Sequence, residues 1–148
     1  MGSDNGVDLS GEIAQRVNGA LGEGKPITVS YVGSDNRPRM SLRGSAHVHR
    51  DDMLALWVRK RDGGLVEAIA SNPAIALLYR DSQTRTTYVF AGRARVEPDE
   101  SVREKVFAAI PQVERDHDPE RNGVAVLIQV DEVKGGTVGG EQVAMRRA

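Results

Sequence analysis

The sequence predicts a mainly β protein, in which six short strands form a small antiparallel barrel with a few α-helices at its periphery. Apolar segments of strand length recur along the chain and are separated by turn signals such as Gly33-Ser34-Asp35-Asn36. Helical periodicity is confined to three stretches, at residues 10–21, 64–70 and 99–110. Many short strands with few helices are typical of a small barrel.

The six strands are expected at residues 27–32, 38–48, 53–58, 74–79, 86–97 and 124–133. The segment 53–58 is apolar at every position, which is typical of a strand that is covered on both faces. In the segment 86–97, Ala94 and Val96 alternate with charged residues, which predicts one face in water.

The helices have start and stop signals of their own. Ser10 and Asp99 stand where an N-cap is expected for the first and third helices. Asn72-Pro73 and Pro111 end the second and third helices, because proline disfavours helical backbone before it. We expect a turn and irregular structure over the charged residues 112–122.

The bulk composition limits the classes of protein. A length of 148 residues predicts one domain over 1–148, with a core at about 10–135 and flexible tails at both ends. The net charge of -1 argues against nucleic acid as a partner. There are no cysteines, which excludes disulfides and thiolate chemistry. No apolar run approaches the roughly 20 residues of a membrane span, so a cytoplasmic protein is expected.

The segment from Trp57 to Pro73 has the features of an anion site. Three cations, Arg59-Lys60-Arg61, follow an apolar strand and precede Gly63-Gly64 and a helix. Cations supply charge, glycines expose backbone N–H groups, and a helix start adds its dipole, so phosphate is the obvious ligand. A solvated basic turn is the alternative interpretation of the same residues.

A second candidate surface lies on the strand predicted at residues 38–48. Arg39, Ser41 and Arg43 point to one side of this strand, opposite Met40 and Leu42. Two guanidinium groups and a hydroxyl in a row suit a flat anionic molecule. The alternative is the exposed polar face of a half-buried strand.

Other candidate groups favour structural roles. His47 and His49 share one strand face, but no third ligand has suitable spacing, so we expect a surface or subunit-contact role and no metal. Asp116 and Asp118 are assigned to turn chemistry and capping. The sequence contains no nucleophile elbow and no glycine-rich dinucleotide fingerprint.

Four segments, taken in order, resemble one family. They are Arg39-Met40-Ser41-Leu42-Arg43-Gly44, the strand through Trp57, the helix that reaches Ser71-Asn72-Pro73, and Phe90-Ala91-Gly92-Arg93-Ala94. The ordered set resembles the pyridoxamine 5'-phosphate oxidase-like flavin-binding proteins over about residues 10–135. This resemblance implies a six-stranded split β-barrel of the FMN-binding type, which forms a homodimer with two cofactor sites at the subunit interface.

The resemblance also implies which residues bind the cofactor. The implied set is Arg39, Met40, Ser41, Arg43, Trp57, Val58, Arg59, Lys60, Arg61, Gly64, Leu65 and Thr87. Gly64 and Leu65 stand where the family keeps a phosphate-binding Lys and Arg, so the positive charge lies upstream at residues 59–61 instead. Thr87 stands where the oxidase has a glutamine that hydrogen-bonds the flavin ring.

The function implied is that of an FMN-binding oxidoreductase acting on a small molecule, with no membrane or nucleic-acid partner. The last residues, 141–148, lack the Trp and Arg-His pattern that binds pyridoxal phosphate in the true oxidase, so we do not expect that activity. Two alternatives stay open: a reductase that uses the deazaflavin coenzyme, and a non-catalytic module that stores or senses flavin. The sequence does not identify catalytic residues.

Overall fold

The computed structural model describes residues 5–148. In chain order the elements are α1 (Glu12–Gly19), β1 (Ile27–Val32), β2 (Pro38–Arg43), β3 (His47–Arg50), β4 (Met53–Val58), α2 (Gly64–Ser71), β5 (Ala74–Asp81), β6 (Thr86–Glu97), α3 (Glu100–Ala109), α4 (Gln112–Asp116), β7 (Val124–Thr137) and β8 (Gln142–Arg146). None of the helices within the described residues is long and apolar enough to cross a membrane.

All of these strands belong to one antiparallel sheet in the order β2-β1-β5-β6-β7-β4-β3, with β8 paired to β7. The sheet has eight strands, so the prediction of six was wrong in number although the mainly β class was right. One cause is the segment 38–48, which was expected to be a single strand. Its first part, β2, pairs with β1, whereas its last part, β3, pairs with β4.

The other additional strand is β8, in a segment that we expected to be a flexible tail. Gly135 and Gly136, at φ of 143° and 128°, lie inside β7. A Cβ on Gly135 would lie 1.9 Å from the carbonyl oxygen of Thr87 on β6, so only glycine permits this close pairing. The amino-terminal side is also fixed, because Val7 and Leu9 are completely buried.

The helix ends are partly as predicted. Asp99 caps α3 by accepting hydrogen bonds from the backbone N–H groups of Ser101 and Val102. Ser10 does not cap α1, because its hydroxyl donates to Asp8 and Gly11 holds the N-cap position. The charged residues 112–122, expected to be irregular, include the short helix α4.

The protein has two apolar layers, with β4 between them. Leu54, Leu56 and Val58 face the main core inside the barrel, against α1 and α2. Ala55 and Trp57 face outward, where α3 covers them with Phe107 and neighbouring side chains. The prediction that this strand is covered on both faces is confirmed.

One face of the sheet carries exposed apolar side chains. Met40 is 72% exposed and Leu42 is 66% exposed, while Ser41 and Arg43 on the opposite side of β2 are half-buried. The expected polarity of β2 is therefore reversed, because its apolar side faces outward. Across β1 and β5, the register aligns Leu42 with Leu78, and Leu78 is in turn opposite Val89 on β6.

The buried imidazole of His47 lies on β3. Its Nδ1 donates to the Ser45 carbonyl oxygen at 2.8 Å, and its Nε2 has no hydrogen-bond partner. Burial lowers the pKa of His47, although the hydrogen bond to Ser45 acts in the opposite direction. Within residues 5–148, no group of three or more His, Cys, Asp or Glu side chains is placed to hold a metal ion.

We predict that His47 makes folding stability depend on pH. Its lowered pKa means that the unfolded chain binds the proton more readily, so the free energy of unfolding falls as pH drops below the unfolded value of about 6.5. Replacement of His47 by Asn keeps a side-chain donor and removes the titration. Urea denaturation between pH 8 and pH 5 measures the difference. Parallel pH curves for the wild type and His47→Asn would contradict the prediction.

Candidate functional site

A cavity of about 450 Å³ opens where β2 and β4 end and α2 begins. It collects seven of the residues that were predicted to bind a cofactor: Arg43, Trp57, Val58, Arg59, Lys60, Gly64 and Leu65. Gly63, which the sequence marks as a source of backbone N–H donors, also lines it. Five further lining residues were not predicted from the sequence: Tyr31, Leu42, Gly44, Ser45 and Glu114. These residues, above all Tyr31 and Glu114, are distant in sequence from the basic segment. No local sequence pattern therefore connects them to it.

Three of the predicted residues on β2 lie outside the cavity lining. Arg39 forms an ion pair with Asp35 at 2.6 Å, next to the turn between β1 and β2. Met40 points to the exposed apolar face. Ser41 lies between these positions and the cavity, because its hydroxyl accepts a 3.0 Å hydrogen bond from Nε of Arg43.

Arg61 and Thr87 are also outside the lining. Nε of Arg61 donates to the carbonyl oxygen of Asn122 at 2.7 Å, which directs this guanidinium away from its neighbours in sequence. The Thr87 hydroxyl accepts from Arg80 at 2.7 Å on the middle strands of the sheet. The structure therefore does not bring these two residues to the cavity.

Among the described residues, no carboxylate lies at ion-pair distance from the cations at the cavity. In the described part of the chain, Arg43, Arg59 and Lys60 form no salt bridge within 4.0 Å. Burial lowers the pKa of Arg43, and the charge of Arg59 lowers it further, whereas Tyr31 and Glu114 raise it. A half-buried cation beside a second cation is stabilised by any anion that enters the cavity.

The start of α2 adds backbone donors to these charges. Gly63 occupies the N-cap position, and no side chain caps the helix. The turn before it is closed by a hydrogen bond from the Gly63 N–H to the carbonyl oxygen of Lys60 at 3.0 Å. Because the first N–H groups of a helix have no partner within it, this eight-residue helix presents donors and the positive end of its dipole at the cavity.

Trp57 forms a fixed wall of the cavity. The Ser45 hydroxyl accepts from the Trp57 N–H at 3.0 Å and donates to the Trp57 carbonyl oxygen at 3.1 Å. The indole N–H donates to Asp118 at 2.8 Å, and the guanidinium of Arg103 lies 5.0 Å from the ring centroid. The ring is therefore held in one orientation by both its backbone and its side chain.

Asp118 connects this wall to the segment after α3. Its carboxylate also accepts from the backbone N–H groups of Asn122 and Gly123. Burial alone would raise the pKa of Asp118, but these hydrogen bonds and the one from Trp57 lower it overall. The assignment of Asp118 to turn chemistry is confirmed, and the same carboxylate holds the cavity wall.

Glu114 reaches the cavity from α4. The helix is attached to the end of α3, because Arg115 donates to the carbonyl oxygens of Ala108 and Ile110 at 2.9 and 2.8 Å. Oε2 of Glu114 lies 2.9 Å from the position that a Cβ on Gly44 would take. Glycine at position 44 thus leaves room for this carboxylate at the edge of the cavity.

The chain was compared with known proteins. No protein-family model and no curated protein matches it. Among solved structures, it is similar to HupZ from Group A Streptococcus, with 15% identity, 90% of this chain and 98% of that chain covered, and a TM-score of 0.66. A candidate pyridoxamine 5'-phosphate oxidase from Lactobacillus delbrueckii gives 22% identity, 90% and 98% coverage, and a TM-score of 0.65. An F420 reductase gives 16% identity, 74% of this chain and 88% of that chain covered, and a TM-score of 0.58.

These similarities define the fold of the protein. The chain has the split β-barrel fold of the pyridoxamine 5'-phosphate oxidase-like proteins, and the resemblance seen in the sequence is confirmed at this level. At identities of 14–22% the similarity extends to the fold alone.

We predict that Asp118→Ala destabilises the protein by about 2–3 kcal/mol, because three donors, among them the Trp57 indole, lose a buried charged acceptor. Asp116→Ala is the matched control, since Asp116 is exposed and accepts from Gln112 only, and it should cost roughly 0.5 kcal/mol or less. Urea denaturation of both variants measures the difference. Similar losses in the two variants would show that Asp118 has no special role.

Proposed function

We propose that the cavity binds a flavin phosphate, FMN in the first instance, and that the protein is an FMN-binding oxidoreductase. The observation that carries this proposal is the group of three cations without ion-pair partners around the uncapped start of α2. Uncompensated positive charge and free N–H donors at one place favour a bound phosphate. The fold adds support, because it is shared with proteins of the pyridoxamine 5'-phosphate oxidase type.

In this proposal the residues have separate roles. Arg59, Lys60 and the first N–H groups of α2 bind the phosphate. The ring lies against the end of β4, at Trp57 and Val58, with Arg43 at its polar edge. When bound, the flavin supplies the electron-accepting chemistry, so the protein has to bind it, orient it and limit the access of water.

The deazaflavin coenzyme is the second candidate. Two observations favour it: the structural similarity to an F420 reductase, and the non-cationic Gly64 and Leu65 at the family's phosphate-binding positions. A non-catalytic flavin-binding module is the third candidate, because no acid–base group has been assigned. Mass spectrometry of the small molecule that co-purifies with the protein distinguishes FMN from the deazaflavin coenzyme. Reduction of the bound cofactor by a nicotinamide or a substrate distinguishes an enzyme from a non-catalytic module.

We also propose that two copies of the chain form a homodimer through the exposed apolar face. Met40, Leu42, Leu78 and Val89 lie on this one face of the sheet. Contiguous exposed apolar side chains are typical of protein interfaces. Leu42 belongs to both the face and the cavity lining, so a second copy placed here would help to enclose the ligand. A cytoplasmic location stays a prediction.

We predict that Arg59→Ala and Lys60→Ala each weaken FMN binding by about 1–3 kcal/mol, the usual size of a charge-assisted contact. Arg61→Ala is a matched control, because it removes a neighbouring positive charge whose guanidinium is bound to Asn122 outside the cavity lining. Fluorescence titration of FMN with each variant gives the affinities. If all three variants bind FMN as the wild type does, the loop is not a phosphate site.

We predict that Leu78→Lys converts the protein from a dimer to a monomer, since a charge at the centre of the apolar face opposes its burial. Sedimentation equilibrium should give twice the chain mass for the wild type and 16.0 kDa for the variant. Val138→Lys serves as the control, because this exposed apolar residue lies in the turn between β7 and β8. A wild-type mass of 16.0 kDa would rule out the dimer.

A further inference from the structure

In the part of the chain that the structure describes, Glu114 is a half-buried carboxylate without a hydrogen-bond or ion-pair partner. Within residues 5–148, its side chain accepts no hydrogen bond and forms no ion pair, although its backbone takes part in the turns of α4. A partly buried carboxylate is normally stabilised by several hydrogen bonds. Its position is nevertheless well fixed, because Arg115 attaches α4 to α3 on one side and Asp118 binds Trp57 on the other.

A charge of the opposite sign, that of Arg43, acts on Glu114 within the cavity. Glu114 and Arg43 both line the cavity, and Glu114 raises the pKa of Arg43, so each lies in the field of the other. They are nevertheless more than 4.0 Å apart and form no salt bridge in the described structure. An acceptor and a donor group therefore line the same cavity without binding each other.

This arrangement complements one chemical group in particular. A pyrimidinedione edge presents a ring N–H between two carbonyl oxygens, so a carboxylate can accept from the N–H while a guanidinium donates to a carbonyl. The negative charge of Glu114 also repels the anionic group of a ligand from this end of the cavity. The anionic group of a ligand is therefore directed toward Arg59, Lys60 and the start of α2.

We propose that Glu114 is the residue that selects the ligand: it accepts a hydrogen bond from the ring N–H of a phosphorylated pyrimidinedione. This inference rests on the proposed function, since both candidate flavins contain such a ring. It adds a recognition role for a residue outside the basic segment. It also assigns the two ends of the cavity, with phosphate at the start of α2 and the N–H edge between Arg43 and Glu114.

The test compares FMN with 3-methyl-FMN, in which a methyl group replaces the hydrogen on the ring nitrogen. Both ligands are titrated by fluorescence into the full-length wild type, Glu114→Gln, and the control Glu120→Gln. Glu120 is exposed and lies outside the cavity lining. Glu114→Gln keeps the size of the side chain and an oxygen acceptor but removes the charge, so it weakens the hydrogen bond without changing the space that the methyl group meets.

We expect the wild type and Glu120→Gln to bind FMN at least about tenfold more tightly than 3-methyl-FMN. In Glu114→Gln, FMN affinity should fall by roughly five- to tenfold while 3-methyl-FMN affinity stays the same. If FMN binds the wild type and Glu114→Gln equally well, or if the variant binds both ligands more tightly, the role of Glu114 is wrong. The proposed function would not be affected by either result. Failure of FMN to bind the wild type would overturn the proposed function and this inference together.

Discussion

The placement of Trp57 is the constraint on which the rest of the molecule depends. Its strand is covered on both faces, so the residue belongs to the barrel wall and to the outer layer at the same time. Ser45 fixes its backbone, and Asp118 fixes its ring. Because Asp118 belongs to the segment after α3, one side chain couples the barrel, the outer helix and the cavity. Burial and directed hydrogen bonds act together here, which gives the ring a single orientation.

The charges of the cavity contrast with those elsewhere in the protein. Arg93 and Arg147 share the carboxylate of Asp131, and Arg16 and Lys25 both lie near Asp81. At the cavity, by contrast, cations and a carboxylate come close without pairing. Such an arrangement costs stability, since half-buried charges are favourable only with partners. At the cavity, this loss of stability leaves the unpaired charged groups available to bind a ligand.

Local sequence patterns predicted the elements better than their connections. The uninterrupted apolar run 53–58, the Asp99 cap and the Asn72-Pro73 break all act through neighbours in the chain, and each is confirmed. The division of the segment 38–48 was not predictable, because its alternation continues through the break and only pairing with distant strands separates the two parts.

The candidate site shows the same difference. The basic loop and α2 are contiguous in sequence, and the structure brings most of their predicted residues to the cavity. Tyr31 and Glu114 come from β1 and α4 and join it only through tertiary packing. The course of β7 through Gly135 and Gly136 was not predictable for a related reason: Gly135 closely approaches β6 and Gly136 the start of β8, and the local sequence does not identify these partner strands.

The break at residues 44–46 has a mechanical consequence. β2 and β3 are the two edge strands in the strand order of the sheet, yet they are consecutive in the chain. Residues 44–46 therefore connect the two edges directly and close the barrel. The cavity lies at this closure and is lined by the end of β2, by Gly44 and Ser45 of the break, and by the end of β4, which pairs with β3. A molecule bound there would hold the two edges together, and the resistance of the whole barrel to opening would then rise with the concentration of that molecule.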